Sequence, residues 1–183
     1  MGFPNENAVY ANVRKGRLVV KRDGKTTAYP YFHGTLKEIK IVTDDYEGAE
    51  YEKVLLTMVD GDDEVIIAFR LEGWYSQGFF SRFHGIKLNQ SFSLGVMPSK
   101  QNEKMSFCWV KQGVAIKKDD NFPGPDKVMV NNKPMADWTK FVLAVKDMVE
   151  NRRLEVSVAD LPDGPPEYDV SDIPPEAEDT SFM

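Results

Sequence analysis

The sequence predicts a mainly β fold, an antiparallel barrel in which helices play a minor part. Three observations carry this. Short runs rich in Val, Ile, Tyr and Phe recur along the chain, separated by turn signals such as Asp23-Gly24 and Asp60-Gly61-Asp62. Only the stretch 135–151 keeps a long helical period, and one aromatic stretch, 73–85, breaks the strand alternation.

Taken in order, residues 1–15 carry few signals and read as an arm. Arg17 to Arg22, the turn Asp23-Gly24 and Thr26 to Phe32 read as a hairpin, since Asp-Gly supplies the positive φ angles of a tight turn. In Thr35 to Thr43, Leu36, Ile39 and Ile41 point inward, and the change of phase after Leu36 requires a bulge near Lys37-Glu38. A polar loop, Asp44 to Glu50, leads to the clearest pair of strands, Tyr51 to Val59 and Glu64 to Leu71. In Gly73 to Gly85 the aromatics at 74, 75, 79, 80 and 83 approach helical spacing and predict a short helix. Strands resume at Gln90 to Met97 and at Met105 to Val110, running onward through Lys111-Gln112-Gly113 to Lys118, and Val128 to Val130 is a short strand at most. The helix expected at 135–151 shows Trp138, Phe141, Val142, Val145, Met148 and Val149 as one apolar stripe, with Asp137 placed to cap its start. A final strand is expected at Leu154 to Val158. Three strands, a short helix and two strands is the plan of the OB-fold, with the N-terminal hairpin and the 135–151 helix as additions. A generic β-barrel or sandwich is the competing architecture.

The chain divides into a body, 1–159, and an acidic tail, 160–183. The tail holds eight carboxylates and five prolines with no lysine or arginine, a composition expected to stay disordered. Tyr168, Ile173, Phe182 and Met183 are apolar beads on this acidic string, which suits a short partner-binding motif; a solubilising tail with no partner is the blander alternative. The whole chain has 23 basic and 29 acidic residues, a net −6; without the eight tail carboxylates the body carries +2. A basic body with an acidic tail points to an anionic ligand for the body.

Composition excludes several classes. No apolar run approaches the length that spans a bilayer, and the start of the chain lacks the pattern of a secretory signal, so a cytoplasmic location is expected. One cysteine, Cys108, allows neither an intramolecular disulfide nor a cysteine-built zinc site, and it is expected to pack rather than react. His33 and His84 lie beside aromatics rather than at metal-ligand spacing, and Asp60, Asp62, Asp63 and Glu64 read as a solvated turn. No phosphate-binding loop, dinucleotide fingerprint or nucleophile elbow occurs, so neither catalysis nor a cofactor is expected.

The body does interleave aromatic residues with bases. Trp74, Tyr75, Phe79, Phe80, Arg82 and Phe83 crowd one stretch; Phe107, Trp109 and Lys111 share one strand face; Lys117 and Lys118 follow. Lys37, Lys40, Lys53 and Arg70 dot the strands between. Single strands are bound by stacking bases on aromatic faces while cations follow the phosphates, so Lys37, Lys40, Lys53, Arg70, Trp74, Tyr75, Phe79, Phe80, Arg82, Trp109, Lys111, Lys117 and Lys118 are the candidate nucleic-acid contacts. Filling of the barrel core competes for the same aromatics.

An OB-like body with interleaved bases and aromatics, followed by a proline-containing acidic tail with a hydrophobic end, resembles the single-stranded-DNA-binding proteins of bacteria and tailed phages. Bacterial members end in an acidic run and Ile-Pro-Phe, which Asp172-Ile173-Pro174 echoes internally; some phage members close an acidic tail on phenylalanine, as in Glu178-Asp179-Thr180-Ser181-Phe182-Met183. The chain departs in the internal position of Ile-Pro, in Met183 after the phenylalanine, and in the helix before the tail. The resemblance implies coating of single strands in replication, recombination or repair, with Asp169, Asp172, Ile173, Glu178, Asp179 and Phe182 recruiting replication or recombination proteins and competing for the DNA groove. DNA against RNA, and a homo-oligomer against a monomer, stay open. The rival from another class is a β-barrel protein-interaction or virion-assembly module without nucleic-acid binding; an enzyme with an unrecognised site is a remote third.

Overall fold

The computed structural model describes residues 8–153, with side chains given through residue 151. The expected final strand at 154–158 and the tail at 160–183 therefore lie outside the described residues. The fold is mainly β. Strands β1 (Val9–Arg14), β2 (Arg17–Arg22), β3 (Lys25–Tyr29), β4 (Tyr31–Tyr46), β5 (Ala49–Asp60) and β6 (Asp63–Arg70) precede helix α1 (Trp74–Phe80) and a 3-10 turn at Phe83–Gly85. Then come β7 (Phe92–Pro98), β8 (Ser106–Gln112), β9 (Val114–Ala115), β10 (Asp126–Val130), β11 (Lys133–Asp137) and helix α2 (Thr139–Arg153).

Among the described residues nine strands form one sheet in the order β3-β2-β1-β6-β5-β4-β7-β8-β9, and β10 and β11 pair only with each other. Every neighbouring pair is antiparallel except β1 with β6, which is parallel. Strand β4 organises the sheet. Its first residues pair with β7 and the rest pair with β5, and the register shifts between Leu36 and Glu38. The bulge expected from the hydrophobic phase is thus present, and it bends the strand so that both halves turn Leu36 and Ile39 inward.

The curl brings the two sides of the sheet together. The β1–β2 turn reaches the far ends of β7 and β8, where the Gly16 amide donates to Ser106 Oγ at 2.9 Å. Gly16 has φ +72°, and a Cβ there would sit 2.5 Å from Pro98, so both the turn and the close approach demand glycine. Leu36, Leu56, Met58 and Ile67 meet Phe92, Leu94, Val96, Cys108 and Val110 in the core. Tyr75, Phe79, Phe80 and Phe83 from α1 and the following turn join them, as do Phe141 and Val145 from α2.

Four expectations are corrected. Residues 9–14 are not part of an arm: Val9, Ala11 and Val13 alternate with Tyr10, Asn12 and Arg14, and β1 fills the edge of β6. The N-terminal hairpin is no separate addition: β1 pairs with β6, so β3, β2 and β1 continue the same sheet. The stretch 44–50 is no loop, because Glu47-Gly48, both at positive φ, make a two-residue turn between Tyr46 and Ala49. Residues 135–137 belong to β11, and α2 begins at Thr139. Asp137 still serves that helix, since its carboxylate accepts the Thr139 amide at 3.0 Å. The Thr139 contacts hold the Asp137 carboxyl below the usual range.

Candidate nucleic-acid interface

The pleat of the sheet decides which side chains leave the core. Asn12 pairs with Ala68, Ala68 with Leu55, Arg70 with Lys53, Lys53 with Val42, and Tyr51 with Asp44, so these residues share the outer face. Stepping by two along β1 and β4 adds Tyr10, Arg14, Tyr46 and Lys40. The result is a groove of about 400 Å3 whose lining includes Asn12, Arg14, Tyr46, Tyr51, Lys53 and Arg70. Tyr10 and Tyr46 are 43% and 66% exposed.

The charges in the groove are unevenly satisfied. Lys53 is ion-paired with Asp44, and the Tyr51 hydroxyl donates to the same carboxylate at 3.3 Å. The Lys53 hydrogen bond, helped by the Asp45 amide, holds the Asp44 carboxyl below its ordinary range. Arg70 instead lies over the Tyr51 ring, 4.9 Å from its centre. Among the described residues Arg14, Lys21 and Arg70 make no ion pair. Cations on a sheet face without carboxylate partners, beside exposed tyrosine rings, can meet phosphates and bases together.

A second aromatic cluster lies on the outer face of β4, β7 and β8. Tyr31 and Trp109 approach to 5.8 Å between ring centres, and the indole covers Gly95. Met97 and Phe107 beside them are 38% and 36% exposed. His33, on the same face, bonds Ser93 Oγ through Nδ1 at 3.0 Å, and burial lowers its pKa.

The candidate contacts read from the sequence scatter. Lys40, Lys53 and Arg70 come together on the outer face, where Lys40 also bridges Glu38 at 3.0 Å. Lys37, at the bulge, is bound to Glu64 at 2.6 Å. Trp109 belongs to the second cluster, and Lys111 on its strand is only 3% exposed, which removes it as an open phosphate anchor. Tyr75, Phe79 and Phe80 are buried, with Phe79 and Phe80 at 0% exposure, so their rings are not available for stacking. All of α1 except Trp74 is buried, and an aromatic row at helical spacing is a pattern that core packing and a stacking row write alike. Trp74 is 43% exposed but packs edge-on against Trp138 at 5.4 Å. Arg82 acts as a staple: its guanidinium donates to the carbonyls of Gly78 at 2.7 Å and Ile116 at 3.1 Å. Lys117 and Lys118 are exposed just beyond that staple.

Sequence reasoning missed Tyr10, Asn12, Arg14, Tyr46 and Tyr51. The signal existed in Val9–Arg14, where apolar and polar residues alternate up to the turn Lys15-Gly16. Cys108 is buried, and burial pushes its thiol up to about 12. Comparison with protein-family models, curated proteins and solved structures finds no match for this chain. Among the described residues no helix is long and apolar enough to cross a membrane.

Proposed function

We propose that this chain binds single-stranded DNA without sequence preference, coating it in replication, recombination or repair. The observation that carries the reading is the outer groove, where the Arg70 guanidinium over Tyr51 and Arg14, which has no ion pair among the described residues, stand beside the exposed ring of Tyr46, with Tyr10 exposed on the same sheet face. Stacking offers each base a platform of any identity, while the cations follow the backbone. The order β4-β5-β6-α1-β7-β8, with a long bulged strand shared by both halves, supports reading the body as an elaborated OB-fold in which β1 occupies the edge of β6. On this reading the acidic tail, with Asp169, Asp172, Ile173, Glu178, Asp179 and Phe182, recruits partner proteins. The chemistry is binding, with no bond made or broken.

Titration of the full-length protein with oligo(dT) across a salt series tests this. Affinity should fall linearly on a log–log plot by about 0.7 per phosphate neutralised, and duplex of equal length should bind far more weakly because its bases are already stacked. Equal affinity for duplex would remove the stacking mechanism. No binding even at low salt would leave the protein-interaction or assembly module as the better reading.

A further inference from the structure

Two features are unused by the groove, and they complement each other. The first is a cavity at the open mouth of the curled sheet. It measures about 630 Å3 and is floored by inward-facing Val9, Leu18, Val20, Phe32 and Val65. Among the described residues no helix lines this mouth, whereas α1 and α2 bury their aromatics elsewhere in the core. Asp62 from the β5–β6 turn and Asp63 and Glu64 from the start of β6 line it, and Arg22 also reaches it. Glu64 is already bridged to Lys37, while Asp62 and Asp63 have no ion pair among the described residues.

The second feature is the β10–β11 hairpin. Among the described residues it is hydrogen-bonded to no other strand, and a lone two-stranded hairpin is marginal in water. Its apolar side chains stand in solvent: Met129 is 65% exposed, Val130 44% and Met135 54%. Its base is fixed to α2 through Lys140 and Asp126 at 2.7 Å, so the strands form an arm reaching about 17 Å. Both hairpin carboxylates are engaged, Asp126 by Lys140 and Asp137 by Thr139. The charges it leaves unpaired among the described residues, Lys127 and Lys133, are both cationic.

We propose that the mouth receives the β10–β11 hairpin of a second copy of this chain, with Met129 and Val130 entering the apolar cavity and Lys127 and Lys133 meeting Asp62 and Asp63. The cavity falls within the range of volumes that hold a drug-sized ligand, enough for a hairpin tip. The contact is head-to-tail, since the donor's mouth stays free, so copies add in an open row unless the rotation closes a ring. It needs no nucleic acid and stands independently of the groove.

Sedimentation of the full-length protein over a concentration series should show mass rising with concentration at low salt. The pairs Asp62→Lys with Asp63→Lys, and Lys127→Glu with Lys133→Glu, lie on exposed turns and strands, and circular dichroism checks that both variants stay folded. Each variant alone should lose association by tenfold or more. An equimolar mixture should restore it, because the reversed mouth of one now fits the reversed hairpin of the other. A full-length protein that stays monomeric at hundreds of micromolar overturns the proposal. So do variants that associate as the parent does, or a mixture that fails to restore association.

Discussion

The Arg70 guanidinium rests 4.9 Å from the centre of the Tyr51 ring on the outer face of the sheet, held there by the β5–β6 register that pairs Lys53 with Arg70. The charge is therefore placed before any ligand arrives. Arg70→Ala should reduce the salt slope of oligo(dT) binding by about 0.7, the loss of one phosphate contact on a single strand. Tyr46→Ala, which removes the 66% exposed ring of the groove, should cost about 1–3 kcal/mol of affinity through lost stacking. Melting temperatures of both variants show whether the fold is intact. An unchanged slope and affinity would place the strand elsewhere on the protein.

Gly95 and Trp109 face each other across β7 and β8, and a Cβ on Gly95 would fall 1.9 Å from the indole Cε2. Gly95→Ala must therefore move the ring off the sheet. The expected cost is about 1–3 kcal/mol of stability, as for overpacking elsewhere. Its spectroscopic sign is a red-shifted emission from Trp109 in a background with Trp74 and Trp138 replaced by phenylalanine. An unaltered melt and spectrum would mean that the indole does not lie on the strand.

Phe79 is fully buried, whereas Trp74 in the same helix is 43% exposed. Phe79→Ala should cost about 3–5 kcal/mol in denaturant unfolding. The protein that remains folded should bind oligo(dT) as the parent does. A specific loss of DNA affinity at unchanged stability would return Phe79 to the interface.

Strand content was legible because alternation and turns are local. The hairpin around Asp23-Gly24, the pair β5–β6 and the bulge after Leu36 all follow from residues within a few positions of one another. Partnership was not local. Val9–Arg14 alternates correctly, but nothing in those six residues says that their edge is completed by residues 65–68. Hence Arg14 could not be assigned to the groove with Arg70, nor Tyr10 to the sheet face beside it. The aromatic row of α1 failed for another reason: its periodicity reports that one face is apolar, and both a core and a stacking surface satisfy that. Trp138 and Phe141 show the same ambiguity resolved by contact, since they pack at 5.4 Å from each other.

The Cys108 thiol and the Tyr75 hydroxyl are buried together between β8 and α1, and burial raises both pKa values. A free thiol titrates near 9.0, while Cys108 in the folded protein is pushed up to about 12. The folded state thus holds this proton more tightly than the unfolded chain. Its contribution to stability is complete below about pH 9 and is lost as pH rises from there toward 12, with Tyr75 adding in the same direction above about 10. Urea unfolding at pH 8 and pH 10.5 should show the drop, and Cys108→Ala should make it smaller. A thiol reagent at pH 8 should label Cys108 only at the rate of unfolding.

The parallel pairing of β1 with β6 sets the order of synthesis against the order of completion. Residues 9–12 leave the ribosome before their partners at 65–68, which follow more than fifty residues later. Until then the β1–β2–β3 hairpins present an unpaired edge, open to the wrong neighbour, including β6 of another nascent chain. Loop closure over that distance comes before any reward from the contact, so docking of β1 is a slow and late event. Polysomes crowded with this message are where strand exchange between copies would begin.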